Sequence, residues 1–371
     1  MVRRAPSKDA LRAEYGAMLG VSKMGIKSFN RTIMGTISAV ACASLLTAGC
    51  ARDHNIPSTP GPDAPLDHMT EISLGENNDI TASAIEDGYR VHAALTQLYG
   101  WFQHFDNPNV PIDHQLALLS ENAKLTSDSQ SVIGRTNYKR AAEQIPGDWQ
   151  NAHFVRNVRV RHADKDAIRL EADIIYLNSG ALDERKPYGA VLDFQSTLSH
   201  EKSGLPEIER LVVLETSSGI SPTFRSAYAE NRLKSLFHHW IYLIASPERS
   251  ADQFDDILSE AFKINFPKSR ITSNEGLADW LTGPAAAAEA MHYQVRDFDY
   301  EELGVNEYAM TVELDWYGLM ENGDQLTGRV VQDFTVIDDP SAAFAKITAI
   351  REEEVLPGSL RPDDGDTQAS R

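Results

Sequence analysis

Among the titratable side chains of this 371-residue chain, His153 is the best suited by type to move a proton near neutrality, because an imidazole titrates near pH 6.5. The same ring can instead hydrogen-bond a helix end, and only its surroundings separate the two roles. A second candidate is the acidic alternation of Glu313 and Asp315 among Val312, Leu314 and Trp316. One face of that strand is acidic and the other apolar. This reads as a solvated outer face or, opposite His292, as a pocket carboxylate. His238 and His239 are neighbours on a helix-like run, about 100° apart, and cannot easily share a metal ion. The chain has no H-E-x-x-H, no phosphate-cradling glycine loop and no G-x-S-x-G, so zinc-hydrolase, nucleotide and serine-hydrolase chemistry have no support.

The elements that must position these groups recur along the chain. Trp101 and Trp240 stand 139 residues apart in similar apolar runs, His153 and His292 are again 139 apart, and the Asp-Phe pairs at Asp193 and Asp333 are 140 apart. A period this long predicts two tandem domains rather than a solenoid. Each copy opens with a long amphipathic helix, marked by Val91, Leu95, Leu98, Phe102 and Phe105, then by Leu233, Phe237, Trp240 and Ile244. A short helix follows (137–144; 275–281), ended by Pro146-Gly147 or Gly283-Pro284. Alternating strands come next. Ile168, Leu170, Ala172, Ile174 and Tyr176 share one face, as do Tyr308, Met310, Val312, Leu314 and Trp316. Two more strands close each copy, near 189–197 with 207–215 and near 328–337 with 345–352. The expectation is an α+β fold of helices and then four antiparallel strands, with the helices on one concave face.

The pattern H-x-x-x-N-x-x-V (His153, Asn157, Val160), then Gly189 with Asp193-Phe194, repeated as His292, Gly328 and Asp333-Phe334, resembles the nuclear transport factor 2-like superfamily in its SnoaL-like branch. The second copy departs from it, with Arg296 or Asp297 where the first has Asn157. The resemblance implies two tandem cone-shaped domains, at 84–218 and 219–356, each with helices packed on a curved antiparallel sheet around an apolar pocket. It implies that His153 faces a pocket as acid or base, with Tyr99 as hydroxyl donor and Asp106 as carboxylate. The corresponding positions in the second copy are His238 and Ala245, so only the first copy keeps these groups. Asp193 and Asp333 fall where ketosteroid isomerase carries a protonated aspartate, which an apolar site would keep neutral. The further pocket candidates are Trp101, Tyr176, Trp240, His292 and Asp315. The resemblance also implies an internal pseudo-dimer of the two domains, packed sheet to sheet.

The N-terminal region gives an address. Lys27 and Arg31 precede an uncharged run, 32–49, which ends in Leu46-Thr47-Ala48-Gly49-Cys50 and resembles the lipobox of a bacterial lipoprotein signal. The alternative is an uncleaved anchor. Residues 1–23 read as an upstream extension, 24–50 as the signal, 51–83 as a flexible tether and 357–371 as a disordered tail. Cleavage before Cys50 removes seven basic and two acidic residues and takes the net charge from −19 to −24. That acidity argues against a nucleic-acid partner. With Cys42 discarded and Cys50 acylated, no thiol remains for catalysis or disulfides. The expected protein is lipid-anchored in the cell envelope, on the outer membrane facing the periplasm, and needs no cofactor. It binds a small apolar molecule or another envelope protein. The alternative is a cofactor-free dehydratase or isomerase acting in the first domain.

Overall fold

The computed structural model describes residues 81–360 apart from 129, 165–166, 181–186, 200–203 and 222, and leaves the side chains of 162–164 and 220 undescribed. The signal segment, Cys42, Cys50, most of the tether and the tail beyond Leu360 lie outside the described residues. The first domain runs α1 (Ala82–Glu86), α2 (Gly88–Asp106), α3 (Ile112–Ala117), β1 (Leu119–Ser127), β2 (Ser131–Ile133), α4 (Arg135–Ala142), β3 (Gln150–Asp164), β4 (Ala167–Ser179), β5 (Tyr188–Ser199) and β6 (Glu207–Ile220). The second runs α5 (Tyr228–Ala245), β7 (Leu258–Phe266), β8 (Ser269–Ile271), α6 (Asn274–Thr282), β9 (Ala290–Gly304), β10 (Glu307–Leu319), β11 (Gln325–Ile337) and β12 (Lys346–Leu360). Among the described residues no helix is long and apolar enough to cross a membrane.

The sheets have the same order, β2-β1-β6-β5-β4-β3 and β8-β7-β12-β11-β10-β9. The chain is thus two tandem α+β domains, each with helices on a sheet. Two details differ from the expected four antiparallel strands. Each sheet has six, because β1 and β2, like β7 and β8, precede the short helix, and β1 and β7 pair parallel with β6 and β12. The expected tail also begins too early, since 357–360 complete β12.

Helix α2 buries residues on nearly every side, as does α5, because each packs on its own sheet and on the other helix. The two helices run antiparallel, and the domains meet through them rather than sheet to sheet as expected. Ser235 Oγ donates to the Thr96 carbonyl at 3.1 Å, and the Tyr99 and His238 rings stack at 5.6 Å. Both pairs are 139 residues apart, so each residue touches its own counterpart, as at the axis of an isologous contact.

The hydrogen-bond registers fix which positions correspond. Across one sheet run Leu125, Leu211 and Ser196; across the other run Ile264, Ile350 and Phe334. Gln332, not Phe334, therefore stands where Phe194 does. Likewise His153 faces Tyr176 as Tyr293 faces Trp316. The helices agree: Asn231 Nδ2 donates to the His153 carbonyl, and His92 Nε2 donates to that of Tyr293. The counterpart of His153 is Tyr293. His292 is one residue off, which in a strand sends it to the opposite face.

Two buried polar clusters hold the helix pair in place. Arg232 donates to Asp338 Oδ1 (2.8 Å), to Gln103 Oε1 of the first domain (2.8 Å) and to the carbonyls of Asp339, Ala342 and Ala343, while Tyr228 donates to Asp338 Oδ2 at 2.7 Å. Beside it, His92 donates Nε2–H to the Tyr293 carbonyl, so its Nδ1 accepts from Nδ1–H of His238 at 3.0 Å. His292 packs against His92 at 6.2 Å and beneath Gly88. Burial lowers all three histidines: His92 to about 4, His292 to about 3, and His238 well below its ordinary value.

Replacing Arg232 with Met would leave Asp338 buried without its cation, and should cost about 3–5 kcal/mol in urea unfolding, with the Arg232→Met/Asp338→Leu double variant recovering part of it. The histidines are neutral when folded and titrate near 6.5 when unfolded, so their contribution is complete above about pH 6.5 and is lost as the pH falls toward 4. Each should contribute a slope of about 1.4 kcal/mol per pH unit in that window. Stability measured from pH 7 to 4 should fall more gently in His292→Gln than in the parent.

Candidate functional site

In the first domain the expected dyad forms, but inside a closed core. His153 donates Nδ1–H to Asp106 Oδ1 at 2.6 Å, and Asn231 of the second domain donates to Asp106 Oδ2 at 2.8 Å. Strand alternation turns His153 inward, and Asp106 ends α2, so the helix terminus meets the head of β3. Burial raises the Asp106 carboxyl, against the opposing pull of His153 and Asn231. The carboxylate fixes the tautomer in which neutral His153 keeps its lone pair on Nε2, the form a general base needs. That atom is buried with no hydrogen-bond partner among the described residues. The ring is 0% exposed and lies against Phe102 (4.8 Å), Phe105 (5.7 Å) and Tyr176 (4.9 Å). Tyr99 does not join this group, because its ring stacks on His238 and lies under Lys234 at 5.5 Å.

A cavity of about 240 Å³ opens nearby between Ile112, Pro146, Trp149 and Asn151, with Phe105 in its wall and His153 outside its lining. Asn151 seals the boundary, with its Oδ1 accepting from Tyr176 OH at 2.9 Å and from Asn178 Nδ2 at 2.8 Å. Tyr176 and Trp101 are core side chains, the latter against Tyr138 and Phe105.

The remaining expected pocket residues lie elsewhere. Trp240 is buried in the second core against Phe254 and Phe334. His292 lies on the outer face of its sheet, beneath Gly88. Asp315 shares that outer face, where Arg296 and Arg329 each bond it at 2.7 Å. Asp193 accepts from Gln195 at 2.9 Å and Asp333 from Thr311 at 2.9 Å, and both face outward because Phe194 and Phe334 take the inner positions. His238 and His239 diverge, the second stacking on Phe344 at 4.4 Å. Among the described residues no group of three or more His, Cys, Asp or Glu side chains is placed to hold a metal ion.

The larger cavity, of about 330 Å³, belongs to the second domain. Its walls are Phe266, Trp280, Met291, Tyr293, Trp316 and Met320, and Glu352 and Glu354 line it as well. Its acidic edge reflects a substitution at corresponding positions. In the first sheet Phe194 pairs with Val213 and packs on Phe102 at 5.6 Å. In the second the same pair is Gln332 with Glu352, joined by a 2.7 Å hydrogen bond to Glu352 Oε2. Burial raises Glu352, assisted by the charge of Glu354. Burial also raises Tyr293, whose neighbours include Glu352 and Arg249. Trp316 reaches its position because Gly328 and Gly358 lack side chains: a Cβ on either would stand 2.5 Å or 2.9 Å from the indole.

Sequence reasoning missed Tyr293, Gln332, Glu352 and Trp280. The signal available was the aromatic content of β9 and α6; the polar pair is visible only once β11 and β12 are in register.

Each domain packs its helices on a six-stranded sheet of the same strand order. No protein-family model matches the chain, and no curated protein matches it. Among solved structures, it is similar to a proposed scytalone dehydratase of Novosphingobium aromaticivorans at 16% identity, covering 38% of this chain and 93% of that one, with a TM-score of 0.33. It is similar to a hexachlorocyclohexane dehydrochlorinase of Novosphingobium barchaimii at 9% identity, covering 36% and 91%, with a TM-score of 0.32. A nuclear transport factor 2-like superfamily protein of Salmonella enterica matches at 9% identity, covering 36% and 91%, with a TM-score of 0.28.

A Gly328→Ala variant should push the indole of Trp316 from its seat, at a cost of about 1–3 kcal/mol. The checks are thermal unfolding and a shift in the tryptophan emission maximum; an unchanged spectrum would contradict the seat described.

Proposed function

We propose that the chain is a lipid-anchored envelope protein, tethered through Cys50, that binds one small apolar molecule in its second domain without transforming it. The observation that carries this reading is the 330 Å³ cavity walled by aromatic and methionine side chains. Where the first domain holds His153 and Asp106, the second has Tyr293 and Ala245, so the larger cavity lacks the acid–base pair. The address rests on the lipobox-like sequence alone. The helix-to-helix contact supports an internal pseudo-dimer.

A second reading, a cofactor-free lyase or isomerase in the first domain, is favoured by one feature: the unpartnered Nε2 of His153, held in the basic tautomer by Asp106. It would require the Phe105 wall to move before any substrate met that nitrogen.

The test is titration of full-length protein carrying Cys50→Ser, which cannot be acylated, with the neutral fluorophore N-phenyl-1-naphthylamine. Binding of about one probe per chain is expected. It should be lost in Ala288→Trp, which fills the cavity, and retained in His153→Gln. Equal binding in both variants would place the probe elsewhere and overturn the reading.

A further inference from the structure

The cavity of the second domain has a charge character that an apolar ligand alone does not use. Glu352 and Glu354 are two residues apart on β12 and both line it. Among the described residues neither forms a salt bridge, whereas Glu313, Asp315 and Glu353 of the same domain all do. Glu352 has one oxygen engaged by Gln332. Gln332 is itself 1% exposed and lies outside the cavity lining, and its own Oε1 has no hydrogen-bond partner among the described residues. The acidic edge that a ligand meets is therefore the two glutamates, Glu352 and Glu354. Lys268 is the one basic residue in the lining, and it is exposed at the rim. Arg249 lies behind the wall and spends its Nη atoms on the Ala285 and Ala288 carbonyls. The same lining holds Trp280, Trp316, Phe266 and Tyr293, with Phe266 and Trp280 stacked on each other at 4.6 Å, and aromatic rings attract organic cations.

We infer that the cavity selects a small organic ammonium ion with an apolar body, its cationic head set between Glu352, Glu354 and the aromatic walls. This rests on the binding reading above and names its ligand class. The first domain could not do the same, because Phe194 and Val213 fill the place of Gln332 and Glu352. The carboxylates would neutralise the ligand charge, and the rings would replace water around its alkyl groups. Net acidity of the chain, −19, favours approach of a cation as well.

The test compares two probes of one shape, benzyltrimethylammonium and its carbon isostere neopentylbenzene, each titrated into full-length Cys50→Ser protein and followed by tryptophan fluorescence. The ammonium should bind at least about 10-fold more tightly, with affinity falling as salt rises. Glu352→Gln and Glu354→Gln should each weaken the ammonium several-fold and leave the isostere unchanged, with circular dichroism confirming the fold. Equal or tighter binding of the isostere would overturn the charge selection while leaving the apolar cavity reading intact. Failure of both probes to bind would overturn both.

Discussion

The antiparallel contact between α2 and α5 is the constraint on which the rest of the molecule depends. Each helix is the inner layer of its own domain and the interface layer of the other, so neither can be repositioned without disturbing two cores. The clip made by Asn231 shows the consequence at atomic scale. One side-chain amide, donated from the second domain, holds both the Asp106 carboxylate and the backbone of His153. The local chemistry of the first domain is therefore completed by a residue 125 positions from Asp106 and 78 from His153.

The same framework yields unlike interiors. In the first domain, aromatic rings surround the imidazole of His153 and close it off. In the second, one cross-strand pair changes from Phe194–Val213 to Gln332–Glu352, and an aromatic-walled space opens beside it. The more familiar arrangement, a histidine oriented by a carboxylate, thus lies away from the larger cavity. Fold and chemistry are separable here, as they are in folds that carry several functions.

The helices were legible in the sequence because a 3.6-residue period survives over five turns, and the central strands because alternation survives over ten residues. Strands β1 and β7 were not, since Glu121 and Glu260 stand where the alternation calls for an apolar residue. The spacing of 139 placed the helices correctly, with Thr96 against Ser235. It misplaced the strands, where an offset of one residue reverses the face: it matched His153 with His292 instead of Tyr293. Asp106 next to His153 was anticipated from the resemblance; Asn231 was not, because no local pattern connects a helix start to a strand in another domain. The Gln332–Glu352 pair is equally invisible locally, being made by register alone.

The stacked rings of Tyr99 and His238 set a limit on what two separate copies could achieve. An assembly of identical chains sharing this helix contact would have to oppose tyrosine to tyrosine or histidine to histidine, and every change in one interior would appear in the other. Joining both halves in a single polypeptide removes that obligation. One half can then close around its imidazole while its neighbour opens a wider, acid-edged space.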